Sequence, residues 1–296
     1  MPPELQAAGV ELHTGRLNSR ETLDRALEGI TCCVHLARSH GTTWDEYRRD
    51  DVNTTGMLAR ACERAGVRRF VYASSIVIYD AGDPNAVILD DTPPHPSIVA
   101  SQAYARSKAL CERFLRRMHT VSGFPVVIVR PGIVVGPRGN PCHWGIGMWP
   151  YHSVCAVWGD GDRPLPLVLV QDVADAIARC LTAPGIEGEA FNLVGRPVLT
   201  ANDYLDELER AAGLRIARQT TPIWQAYATD VLKWAVKTMV RHPERQRPSF
   251  RAWRSRTAAA NFDCSKARQK LGWKPTDDRQ VLVEQGVASP ARLFLT

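Results

Sequence analysis

Along this chain, short unbroken apolar runs alternate with stretches whose apolar positions recur every three or four residues. The runs are the length of buried strands, and the recurring positions are those of helices covering a sheet. Residues 9–13 (GVELH) predict a strand, 19–27 a helix with Ser19 as its N-cap, and 31–36 (TCCVHL) a buried strand. Over 53–65, Met57, Leu58, Ala61, Cys62 and Ala65 share a helical face, and Gly66 closes the helix as a C′ glycine. A strand at 70–75, a helix at 102–118 and a strand at 125–129 follow.

After Pro137 the pattern breaks: residues 137–166 are rich in Gly, Pro and Trp and predict an irregular substrate loop. Regular structure resumes with a strand at 167–170, a helix at 172–181, a strand at 191–194 and a helix at 200–212 capped by Thr200. Residues 222–241 predict a helix with Trp224, Tyr227, Val231, Ala235 and Met239 as its apolar stripe, and 263–275 a short closing helix. Strands and helices in alternation predict an α/β fold, a doubly wound parallel sheet of Rossmann type. The expected division is a nucleotide-binding part, 1–136 plus 166–195, and a substrate lobe, 137–165 plus 196–296.

Composition narrows the function classes. No apolar run reaches the length of a membrane span. The opening residues show no basic segment leading into an apolar one, so a cytoplasmic location is expected. The 8 cysteines form no C-x-x-C pair, which disfavours a metal centre or a disulfide framework. Charge is uneven: the net +6 is concentrated in 212–256, which holds ten Lys or Arg and two acids. That stretch reads as the solvated face of a lobe helix, or as a segment touching an anionic membrane from 222 to 256. Nucleic acid is not expected, because no binding module accompanies the charge.

The candidate chemistry centres on Tyr104-Ala105-Arg106-Ser107-Lys108 and on Ser75 at the end of a strand. Four-residue spacing on a helix stacks Tyr104 and Lys108 one turn apart, and a lysine beside a phenol lowers the tyrosine pKa. Ser75 sits where open α/β sheets bind ligands. It can hold a substrate oxygen while Tyr104 moves a proton and a nicotinamide takes or gives hydride. A Y-x-x-x-K pair alone also occurs on solvated helices, so its context decides.

That context is a set of ordered motifs: Cys33-Val34-His35-Leu36-Ala37, Asn53-Thr54-Thr55-Gly56, and the strand running from Gly66 to Ser75, with Tyr79 four residues beyond. Further on come Arg130-Pro131-Gly132-Ile133-Val134-Val135-Gly136-Pro137, Asp172-Val173-Ala174, and Ser265-Lys266-Ala267 followed by Leu271-Gly272-Trp273-Lys274-Pro275. In this order they resemble the extended short-chain dehydrogenase/reductases, the NAD-dependent epimerase/dehydratase family. The resemblance implies Ser75, Tyr104 and Lys108 as catalytic residues. It implies cofactor contacts, to NAD or NADP, from Leu36, Ala37, Asn53, Ser74, Tyr104, Lys108, Pro131 and Ile133. Ser75, Tyr104 and Arg163 would meet the substrate, Arg163 through a diphosphate unless it is a solvent-facing loop residue.

The sequence departs from the family pattern in three places. No G-x-x-G-x-x-G precedes these motifs, and alignment on them places the start at the family's third strand, about forty residues in. Either the complete protein is an ordinary enzyme, or this is a short relative in which dinucleotide binding is weakened or lost and the role is accessory. Arg16 replaces the usual Asp of a G-D-L turn, as a plain replacement or in favour of a phosphate-bearing cofactor. Ile76-Val77 after Ser75 replaces the Asp-Glu of sugar dehydratases, which leaves epimerisation or oxidation and reduction of a hydroxyl or ketone. The expected substrate is a nucleotide sugar or related small molecule, with a sterol or lipid-linked one at a membrane surface as the alternative. A homodimer stays open.

Overall fold

The computed structural model describes residues 3–295 except 80–82, 84, 85, 97, 99–101, 197, 198, 243, 244, 246 and 258–260. Its centre is a four-stranded parallel sheet of strands β1 (Cys32–His35), β2 (Arg69–Ala73), β3 (Val126–Pro131) and β4 (Ala190–Leu193), in that spatial order. The register pairs Val34 with Val71, Val71 with Val127, and Val129 with Phe191.

Side chains alternate between the two faces of the sheet, as strand pleating requires. Phe70, Tyr72, Val126 and Ile128 join Leu23, Leu58, Cys62 and Leu115 of the Arg20–Ala26, Thr54–Arg64 and Ala103–Ser122 helices in one core. Val71, Val127 and Val129 point the other way, into a second core with Val173, Ala176 and Trp273. Helices therefore cover both faces of a doubly wound sheet, which explains why β2 and β3 read as unbroken apolar runs. Among the described residues β1 is an edge strand, and Val34 is exposed there.

The capping signals act as the sequence predicts. The Ser19 side chain accepts from the Thr22 N–H at 3.3 Å, and Thr200 forms a capping box with Asp203. Gly66 takes φ +69°, the left-handed conformation that ends a helix without the strain a side chain would meet.

Two expectations are overturned. Residues 9–13 are exposed coil rather than a strand. The stretch 137–166 is not an irregular loop: Gly147–Tyr151 and Val154–Trp158 form an antiparallel pair that Ala217–Thr221 extends in parallel. Gly147 is required in this pair, because a Cβ there would lie 2.6 Å from the Ala156 carbonyl oxygen. This small sheet packs with Tyr204, Leu205, Leu208, Leu282 and Val287 into a third core.

A buried polar network ties the sheet to its surroundings. Arg130 reaches Glu112 through two bonds, Nε to Oε1 at 2.9 Å and NH2 to Oε2 at 2.6 Å. Its NH1 donates to the Asp90 carbonyl at 2.7 Å and to the Tyr79 hydroxyl, which in turn donates to Asn192 Oδ1 at 2.7 Å. Arg130 of the R-P motif and Tyr79 of the S-x-x-x-Y pattern thus belong to the frame, one layer behind the reactive groups.

Candidate functional site

β2 delivers Ser74 and Ser75 at its C-terminal end, and the 3-10 turn Ile76–Tyr79 folds the chain away. Val77 N–H donates to the Ser75 hydroxyl at 3.3 Å, which leaves that hydroxyl's own proton available. The Ala103–Ser122 helix starts beside this turn and places Tyr104 in its first turn and Lys108 in the next. Ser75 hydrogen-bonds the Tyr104 phenol. Lys108 is only 3% exposed; its Nζ donates to the Ala73 carbonyl at 3.0 Å and lies 5.9 Å from the Tyr104 ring centre. The three residues predicted to be catalytic therefore converge.

Their electrostatics differ from the expectation. Burial raises the Tyr104 phenol above the usual tyrosine value, and the Ser75 hydrogen bond and Arg38 only partly offset it. The Lys108 ammonium is directed to the Ala73 carbonyl, and burial prevails over the cations around the phenol. Burial lowers Lys108 below the ordinary lysine value, while the negative charge of Asp51 opposes that shift.

Asp51 is a residue the sequence reading missed. It lies in the π-helical turn Arg48–Asn53, 3% exposed, and its carboxylate accepts from the Ser39 N–H and from Ser107 Oγ at 2.9 Å. Ser107 also donates to the Tyr104 carbonyl at 2.8 Å, linking Asp51 to the start of the tyrosine helix. The available signal was an acid four residues before Thr55 and seven before Leu58, on the stripe that faces the core.

The expected cofactor contacts have mixed settings. Leu36, 59% exposed, and Ala37 follow the edge strand β1. Ser74 is buried, and its hydroxyl has no partner among the described residues. Pro131 is buried and Ile133 half-buried where β3 leaves the sheet. Asn53 is exposed at the end of the π turn, directly before the Thr54–Arg64 helix, and makes no capping bond. An unpartnered buried hydroxyl next to Ser75 in the chain and exposed residues after β1 suit the nicotinamide half of a dinucleotide. For its diphosphate, no glycine-rich strand–helix turn lies among the described residues.

Tyr104 also lines a cleft of about 740 Å³, shared with Trp44, Arg106, Lys233, Lys237 and Arg256. Arg106 stacks on Trp44 at 3.6 Å and Arg256 on Trp253 at 3.9 Å. Arg106 Nε and Arg256 NH1 are buried without a hydrogen-bond partner, an arrangement suited to an anionic guest. Half of the basic residues of 212–256 (Lys233, Lys237, Arg245, Arg247 and Arg256) therefore line the cleft. Arg163 is exposed in the turn at 159–163 and shares no hydrogen bond with Ser75, Tyr104 or Lys108.

The model of the NAD dependent epimerase/dehydratase family matches residues 2–193. A 2-alkyl-3-oxoalkanoate reductase of Shewanella oneidensis is 24% identical over 96% of this chain and 75% of its own length. A dTDP-D-glucose 4,6-dehydratase of Mus musculus is 27% identical over 62% of this chain, which spans 51% of that protein. Among solved structures, a UDP-glucuronic acid 4-epimerase from Bacillus cereus, in complex with UDP-glucuronic acid and NAD, superposes with a TM-score of 0.71. That superposition covers 98% of this chain and 85% of the epimerase at 20% identity, a likeness of fold. With about two thirds of its length under the family model and its motifs in order along a doubly wound sheet, this chain belongs to the NAD-dependent epimerase/dehydratase family.

Proposed function

We propose that the chain carries the catalytic apparatus of an NAD(P)-dependent oxidoreductase or epimerase acting at a hydroxyl-bearing or keto carbon of a nucleotide sugar or related small molecule. The observation that carries this is the meeting of Ser75, Tyr104 and Lys108 at the mouth of a cationic cleft. NAD or NADP, when bound, would supply the hydride chemistry.

Ser75 holds the substrate oxygen, with its acceptor side already engaged by the Val77 N–H. Tyr104 passes the proton. Burial holds its phenol above the ordinary tyrosine value, which favours the protonated form that donates to a carbonyl. Lys108 bridges from the Ala73 carbonyl toward the site. Leu36, Ala37, Asn53, Ser74, Pro131 and Ile133 would hold the nicotinamide half. Arg106, Lys233, Lys237 and Arg256, together with Arg163, would meet the anionic part of the substrate. The cleft is lined from both 1–136 and 196–296, which supports a nucleotide-binding part and a substrate lobe meeting across it.

Titration with NADH and with NADPH tests this reading. Enhanced nicotinamide fluorescence or a thermal shift at micromolar to millimolar cofactor is expected. Silence with both at millimolar concentration would remove the enzymatic reading for this chain.

A further inference from the structure

The helix Ile223–Met239 is unlike the other long helices of the protein. The Ala201–Ala212 helix buries Tyr204, Leu205 and Leu208, whereas none of the 17 residues of Ile223–Met239 is buried. Its main neighbour is the short Phe250–Ser255 helix, against which Tyr227 and Phe250 stack edge to face at 5.3 Å. One side of the helix lends Lys233, Trp234 and Lys237 to the cleft.

The outer side is apolar. Trp224 (64% exposed), Leu232 (67%), Val236 (52%) and Met239 (83%) follow one another at intervals of eight, four and three residues. Exposed Ala228 fills the gap, so they form one stripe about 22 Å long, and Val240 continues it. Tyr227, Val231 and Ala235, expected in the same stripe, are half-buried, and the exposed stripe runs beside them.

Positive charge adjoins it. Arg241 follows the stripe directly and Arg254 is exposed on the Phe250–Ser255 helix, while exposed Arg245 and Arg247 line the cleft. The nearest described acid, Asp230, is engaged by Trp253 Nε1 at 2.9 Å and by Lys233 at 4.0 Å. We infer that this face docks on an anionic phospholipid surface. Apolar side chains enter the acyl boundary, a tryptophan sits at one end of the stripe, and arginines meet the headgroups. A second copy of the chain would bring two strongly basic segments face to face, which charge disfavours. The helix is too short to cross a bilayer, and no described helix is long and apolar enough to do so, so it lies along the surface.

This inference is independent of the catalytic proposal, and its test does not use turnover. The purified chain is pelleted with vesicles of phosphatidylcholine alone and with vesicles containing one third phosphatidylglycerol. About tenfold more protein should pellet with the anionic vesicles, and added salt should weaken this. The L232E/V236E double variant changes two exposed positions outside the cleft. It should lose about tenfold in vesicle binding while keeping the parent melting temperature. A blue shift of tryptophan emission on binding should shrink in the W224F variant. Equal pelleting on both lipids, no pelleting, or unchanged pelleting of the double variant would each overturn the inference. So would a dimer in sedimentation velocity that the double variant dissociates, because a second copy would then cover the stripe.

Discussion

The sheet and the cleft wall are built on opposite principles. From Val126 to Val129 every residue of β3 is fully buried, and even the charges nearby are closed on themselves, Arg130 against Glu112 with Tyr79 and Asp90 completing the circuit. Across the cleft, no residue of Ile223–Met239 is buried, and its cations share the cleft with Arg106 and Arg256, whose guanidinium groups rest on indole rings and have no carboxylate partner among the described residues. The sheet uses burial and paired charge to fix a frame. The wall keeps an excess of positive charge beside Tyr104. A chain arranged in this way should lose its fold when the first region is altered and its ligands when the second is.

The severest break in that contrast is Arg130→Leu. Leaving Glu112 buried without its partner should cost about 3–5 kcal/mol in urea denaturation. Replacing Glu112 by Leu at the same time should recover much of that loss, as expected of a structural pair. Next comes Tyr104→Phe, which should reduce turnover on the order of 10²–10⁴-fold with the urea midpoint almost unchanged. If its midpoint falls as far as that of Arg130→Leu, the site is not separable from the frame.

His35 sharpens the comparison from within the frame. It is buried, bonded to Thr55 Oγ1 at 3.0 Å, and its pKa is lowered to about 4, chiefly by burial and then by Lys108. A histidine whose folded pKa lies below its unfolded value near 6.5 takes up protons more readily when unfolded. Stability should therefore be complete above pH 6.5 and fall by on the order of 2–3 kcal/mol as the pH drops toward 4. His35→Gln should flatten that slope in denaturation measured across the window. The smallest effect belongs to the wall: Arg106→Ala should raise KM for an anionic substrate about tenfold, near 1.4 kcal/mol, and leave the melting curve in place.

How far the sequence discloses this molecule follows the same division. The strands at 31–36, 70–75, 125–129 and 191–194 are legible because a strand buried on both faces needs apolar residues throughout. Tyr104 and Lys108 are legible because helical spacing stacks them one turn apart, and Ser75 because the ordered motifs place it at the end of a strand. The pair Gly147–Tyr151 and Val154–Trp158 was hidden by surrounding Gly, Pro and Trp, although Val154-Cys155-Ala156-Val157-Trp158 is itself an apolar run. Residues 9–13 have a strand's alternation but no described neighbour to pair with. The side of the 222–241 helix that meets the cleft, and the Asp51 link to the tyrosine helix, depend on packing between distant segments, which periodicity cannot supply. The sign of the Tyr104 shift was missed for the same reason: it depends chiefly on burial of the phenol.

The guanidinium of Arg256 has an optical consequence. It lies 3.9 Å from the ring centre of Trp253, 5.3 Å from Trp158 and 5.5 Å from Trp144. These indoles approach one another at 5.0 Å and 5.7 Å in edge-to-face pairs. Chromophores so close and so inclined share their electronic transitions, and a cation at their centre tunes them. An anion that draws Arg256 out of the cluster will change the near-ultraviolet dichroism of all three at once, so the protein can report occupancy of its own cleft without a label.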